Sequence, residues 1–230
     1  MQPLNVFVVA LIAMLVCAAF GTVTGFFIAY LNVPPFIATL AMMEIVYGIG
    51  LIVTNATPLG GYVEQYTNVS NGKFLGINYL IWIAIIVAAI TWFIFNMTRH
   101  GKYMYAIGGN PQAAEVAGVP VKATLILIYM KAAAMYGLAG FMLGAKAGGA
   151  SVNLGYGYEM EAIAACTIGG VSVTGGRGKV SSAIIGVAVF ELLKAALQYL
   201  GVDANAQYIA IGIVIFVAIS LDIRKYVAKK

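Results

Sequence analysis

Apolar positions in this chain come in long runs separated by short polar stretches. Seven runs stand out, at 6–31, 36–53, 79–97, 124–145, 160–174, 180–200 and 207–223. A helix rises about 1.5 Å per residue, so roughly 18–20 apolar residues cross the hydrocarbon core of a bilayer. A membrane β-barrel would instead show alternating segments of about 10 residues, and that pattern is absent. The runs predict an all-α fold, a polytopic transmembrane helical bundle with about six full spans plus one short broken or re-entrant helix. The short element is the fifth run, which Gly169-Gly170 interrupts. The preferred reading has it cross as a broken helix buried among its neighbours, because irregular backbone survives at membrane depth only where protein or a water-filled cavity satisfies it.

Two polar stretches organise the rest. Residues 54–78, rich in Gly, Asn, Thr and Tyr, read as a loop, and residues 98–123 read as a basic loop. Neither is large enough to fold alone, so residues 1–230 are expected to form one transmembrane domain.

Composition sharpens this reading. The chain is 62% hydrophobic and 9% charged, against about 25% charged in an ordinary soluble domain. It has too little charge to cover a water-facing surface. The net charge of +5 sits mostly between or after the apolar runs, where it reports orientation and gives no nucleic-acid signal. If all seven runs cross and the C-terminus is cytoplasmic, the inside receives Arg99, Lys102, Lys122, Arg177, Lys179, Arg224, Lys225, Lys229 and Lys230, and the outside Lys73 and Lys146, a split of 9 to 2. If the fifth run re-enters, the earlier spans invert and the split becomes 8 to 3. Cys17 and Cys166 lie in apolar runs, away from any metal-ligand spacing, and read as small packing residues. The start MQPLNVFVV lacks a basic region before its apolar run, unlike a cleavable signal. A span beginning at once on the extracellular side leads us to expect that the chain is the C-terminal part of a longer one.

The stretch TRHGKYMYAIGGNPQAAEVAGVPV, 98–121, contains a short helix with both ends written in. Asn110 suits an N-cap, Pro111 the first helical position, and Gly118 the left-handed residue that closes the helix. Between them Ala113, Ala114 and Glu115 give about two turns with a small-residue surface that another protein can approach closely. The plain alternative is a turn that only connects two spans.

This basic turn followed by AIGGNPQAAEVAGV resembles the cytoplasmic loop of bacterial importer permeases of the ribose, galactose and branched-chain amino-acid type. GYEMEAIAACTIGGVSVTGGRGKV at 157–180, AYLNVPPFIATLAM at 29–42, IVYGI at 45–49 and the ending LDIRKYVAKK resemble the same family, in order along nearly the whole chain. IVYGI, YAIGGNPQAAEVAGV and LDIRKY lean toward its galactose/methyl-galactoside branch. Members are longer at the N-terminus by several spans and carry there a glycine-rich stretch that this chain lacks.

The resemblance implies a multi-pass subunit of the bacterial inner membrane that moves a monosaccharide inward without catalysis or cofactor. A second permease copy would form a homodimer with it in the lipid. A cytoplasmic ABC ATPase would drive it, and an extracytoplasmic sugar-binding protein would deliver the sugar. The helix 111–117 becomes the coupling helix, with Asn110, Pro111, Ala113, Ala114, Glu115 and Gly118 as ATPase-coupling residues. No phosphate-binding loop is present, and His100 and the scattered carboxylates form no catalytic set.

Charges within the runs are a separate signal, since each costs about 2.5–3.5 kcal/mol at a span's centre. Glu191 and Lys194 are three apart on one helix face and suited to neutralise each other. Lys131 lies about two turns into its span, within snorkelling reach, and Glu44 has no sequence-local partner. Glu44, Glu161, Gly169 and Gly170 are the candidate pathway residues. Gly21 and Gly25, Gly140 and Gly144, and Gly144 and Gly148 have the four-residue spacing that lets helices approach in lipid, with intrachain packing preferred over subunit contact. Other readings remain: the same family for ribose, another sugar or a branched-chain amino acid; a proton-coupled secondary transporter using Glu44 or Lys131; and a membrane enzyme using Glu159 and Glu161.

Overall fold

A computed structural model describes residues 5–227. Lys229 and Lys230 of the charge count, the first residues MQPL and the end of the C-terminal motif lie outside the described residues. The chain packs as two compact units. One runs up to Ala89 and includes Gly118–Gly155; the other is Ile90–Ala117 with Tyr156 onward.

The first unit begins with α1 (Val6–Leu31) and α2 (Pro35–Thr54). Asn5 caps α1 by accepting from the Phe7 amide at 3.0 Å. Asn32 and Asn55 end the two helices in the left-handed conformation, at φ 53° and 50°, which Asn tolerates better than other L-residues. Pro34 and Pro35 separate the helices, with Pro35 at the first helical position.

The 54–78 stretch is more ordered than a loop. It holds β1 (Leu59–Gly60), α3 (Glu64–Asn71) and a hairpin of β2 (Lys73–Phe74) and β3 (Ile77–Asn78). The helix α3 docks on α7 (Val121–Ala147): the buried Ser70 hydroxyl donates to the Met142 carbonyl at 2.9 Å. The strand β1 pairs antiparallel with β4 (Gly149–Ala150). Short-range reading missed β1 and the docking of α3 because their partners lie 70 or more residues away.

α1 and α7 form the main packing pair of this unit, in antiparallel register. Gly137 faces Ala13, Gly21 faces Ala133, and Gly25 faces Ile126. The ammonium of Lys122 stands 5.0 Å over the Tyr30 ring at the end of the same seam. A Cβ at Gly25 would sit 2.8 Å from the Ile126 Cα, and one at Gly137 would sit 2.6 Å from the Ala13 carbonyl oxygen. Lipid is as apolar as leucine, so the drive here is close packing. The expected intrachain role holds for Gly21 and Gly25. It fails for Gly140, which meets nothing within 4 Å, and Gly148 is the left-handed cap of α7 at φ 71°. The α7 glycine that lets α1 approach is Gly137, whose four-residue partner is Ala133.

The second unit holds the end of α4 (Tyr79–Met97), then α5 (Arg99–Gly109), α6 (Pro111–Val116), α8 (Tyr158–Ile168), α9 (Val180–Tyr199) and α10 (Ala204–Val227). Its core is Ala164, Ala165, Phe190 and Ile211, with Ile168 and Ile215 against them. At Gly186 a Cβ would lie 2.7 Å from the Gly169 amide nitrogen, so α8 and α9 cross with backbones nearly touching.

Five helices, α1, α2, α4, α7 and α9, are long and apolar enough to cross a membrane, and α10 carries a described apolar stretch of Asn205–Ser220. The fifth apolar run becomes α8, an 11-residue helix about 16 Å long. It stops at Gly169-Gly170, the interruption expected there, and residues 171–179 continue as irregular chain.

Candidate coupling and pathway site

After α4, Thr98 starts α5 by accepting from the Gly101 amide at 3.2 Å. α5 folds back on the end of α4, where a Cβ at Gly101 would lie 2.5 Å from the Ile94 carbonyl oxygen. Phe95 and Tyr105 meet edge to face, 5.9 Å between ring centres. The basic turn expected before residue 110 is therefore a helix. Its three glycines read as a turn in sequence, yet Gly101 serves the close approach to α4.

Asn110 accepts from the Ala113 amide at 3.0 Å and so caps α6, with Pro111 at its first position. Gly118 follows the helix at φ 82°. The capped short helix lies where the sequence places it, but its exposed face differs from expectation. Ala114 is buried, 4% exposed, so it packs inside the unit and is not free for another protein. Ala113 and Glu115 are exposed, and Val116 is 91% exposed. Residues 113 and 116, three apart, share one helix face and 114 does not; that spacing was the signal available for Val116.

The segment 170–178 forms a tight loop against α5. The Gly170 and Val171 amides donate back to Thr167 and Cys166, and the Ser172 amide donates to the Arg177 carbonyl at 3.0 Å. The Tyr105 hydroxyl donates to the Gly178 carbonyl at 2.8 Å. Gly176 sits at φ 71°, and a Cβ on it would meet the Gly108 carbonyl carbon and the Gly109 nitrogen, each at 2.7 Å. Two Gly-Gly pairs thus nest backbone to backbone, an approach that side chains would block.

This contact bears on how the fifth run travels. With α7 crossing between them, re-entry would place 98–117 and 170–179 on opposite sides of the membrane. They touch, which favours the crossing reading of the fifth run over re-entry. Arg99, Lys102, Arg177 and Lys179 all belong to this one unit.

The pathway candidates separate. Glu161 lies on α8 and Gly169 and Gly170 just past its end, whereas Glu44 is exposed on α2 in the other unit. Lys194 does not pair with Glu191: its Nζ is 2.8 Å from Oε2 of Glu161, with side chains 28% and 21% exposed. It is the one ion pair found among the described residues. The helix–helix contact of α8 and α9 brings the two together, which spacing along α9 alone could not show. Lys131 is half-buried ten residues into α7, about 15 Å from its start and deeper than the two turns expected. Among the described residues no three His, Cys, Asp or Glu side chains come together to hold a metal.

Comparison with known proteins gives the family. Residues 1–219 match the model described as branched-chain amino acid transport system / permease component. The chain belongs to this permease family. A galactose/methyl galactoside import permease of Haemophilus influenzae is 41% identical over 99% of this chain and 69% of its own length. The Escherichia coli protein of the same description is 41% identical over 96% of this chain and 69% of its own length. A ribose import permease of E. coli is 35% identical over 96% of this chain and 70% of its own length. No solved structure matches. The chain is a transport permease component and a multi-pass protein of the inner membrane.

Proposed function

We propose that this permease is the membrane-spanning subunit of an ATP-driven importer for a neutral monosaccharide of the galactose type. The observation that carries the reading is the 41% identity to galactose/methyl galactoside permeases along nearly the whole chain. Ribose is the second reading, favoured by the 35% relative. The subunit itself does no catalysis; a cytoplasmic ATPase supplies the energy and an extracytoplasmic binding protein the sugar. A second copy of the permease completes the pathway within the lipid.

In this reading α6 is the element that meets the ATPase. Ala113, Glu115 and the exposed Val116 form the contact, while Asn110, Pro111, Ala114 and Gly118 hold the helix in shape. Motion of α6 and α5 would pass through the Gly108–Gly176 nest into the loop and on to α8 and α9. Glu161, Gly169 and Gly170 then lie where a pathway responds to the ATPase. The positive-inside charges favour a cytoplasmic α5–α6.

The test is uptake of labelled galactose and ribose into membrane vesicles holding the permease with its ATPase and binding protein. The reading expects uptake that requires ATP and persists when the proton gradient is collapsed, with galactose ahead of ribose. Uptake that follows a pH gradient without ATP would replace it with a secondary carrier.

A further inference from the structure

The ion pair between Glu161 and Lys194 has a position that packing alone does not explain. Lys194 lies 14 residues beyond Val180 on α9, so it is about 21 Å from the glycine-loop end and about 8 Å from the far end. A lysine so placed has the reach to snorkel to the far interface. Instead it turns sideways to the first turn of α8 and closes a 2.8 Å bond.

The pair is also partly open, with about a quarter of each side chain exposed. Ions held against hydrocarbon keep most of their desolvation penalty. The open part must therefore meet water or polar matter. Two further polar groups lie beside it. Tyr158 is three residues before Glu161 on α8, Glu191 three before Lys194 on α9, and both act on the Lys194 charge. Both are exposed. The Phe190 ring lies 5.8 Å from the Lys194 ammonium and belongs to the buried core.

We propose that Glu161, Lys194, Tyr158 and Glu191 form a polyol-binding gate in the translocation pathway, resting on the sugar-permease reading above. The chemistry fits a neutral ligand with many hydroxyls. Carboxylate oxygens accept from sugar hydroxyls, the ammonium donates to them, and the phenol does either. With the gate closed, Glu161 and Lys194 satisfy each other. A passing sugar exchanges that bond for hydroxyl bonds of similar kind, so neither charge is stranded in the membrane.

The test uses the permease as its own cell makes it, with Cys17 and Cys166 replaced. Tyr158→Cys leaves the ion pair in place and is probed with an impermeant aqueous thiol reagent, with and without saturating sugar. The gate expects the thiol at position 158 to react and sugar to slow the reaction several-fold. A thiol that fails to react shows a face covered by lipid or protein, and a reaction indifferent to sugar shows a wet face that binds none; either overturns the gate. In parallel, Glu161→Gln and Lys194→Gln should each raise the KM of uptake about tenfold, as loss of a charged hydrogen bond implies, with ATPase co-purification unchanged. Parental KM in both variants overturns the gate while leaving the sugar reading intact. If the parental permease takes up neither galactose nor ribose, the sugar reading falls and the gate with it.

Discussion

The Tyr105 hydroxyl donates to the Gly178 carbonyl at 2.8 Å, which fixes α5 to the glycine loop and joins two stretches 73 residues apart. Cysteines at Lys102 and Thr174, in a background without Cys17 and Cys166, should therefore share accessibility. Both should resist an impermeant reagent in intact cells and react in inside-out vesicles. Labelling of one from each side would show that the chain re-enters.

The Gly108–Gly176 nest leaves no room for a side chain. Gly176→Val would put a β-branched residue at φ 71°, a conformation costing a non-glycine residue about 1–3 kcal/mol, and would also drive its methyls into the α5 backbone. Uptake should fall about tenfold or more at that energy, with normal amounts of permease in the membrane. Limited proteolysis from the cytoplasmic face checks the cause, since an undocked loop should be cut faster at Arg177 or Lys179.

Along α1 and α7, glycines of similar spacing should differ sharply in their tolerance. Gly25→Leu and Gly137→Leu push into facing backbone and should lower thermal stability in detergent, by about 1–3 kcal/mol or more as overpacking does. Gly140→Leu has open space and should leave the melting temperature near the parental value. Equal effects at 137 and 140 would contradict the observed seam.

The spans were legible because their signals are local. Asn110 and Pro111 at the start of α6 and the long apolar runs each act within a few residues of themselves. The partner of Lys194 was not legible. Glu191 is the nearer carboxylate along the chain, and only the crossing of α8 on α9 brings Glu161 closer. Similarly, the glycines of α5 look like turn residues until Gly101 is seen against Ile94 and Phe95. The short helix α6 was found from its caps, but six residues are too few for periodicity to show that Ala114 faces inward. Tertiary contact decided each of these.

Val116 and Ala114 give the most direct test of the coupling account, because one faces out and the other in. Val116→Glu changes an exposed position, where substitutions alter stability by about 0.5 kcal/mol or less, so the permease should keep its amount and melting temperature. A charge placed in a desolvated contact should nevertheless cut co-purification of the ATPase about tenfold or more. Ala114→Arg should act differently, lowering the melting temperature first because it breaks packing inside the unit. The deciding measurement is the amount of ATPase recovered with Val116→Glu permease from solubilised membranes. The account predicts a large loss with an unchanged melting temperature; recovery at the parental level would show that α6 is not the docking element.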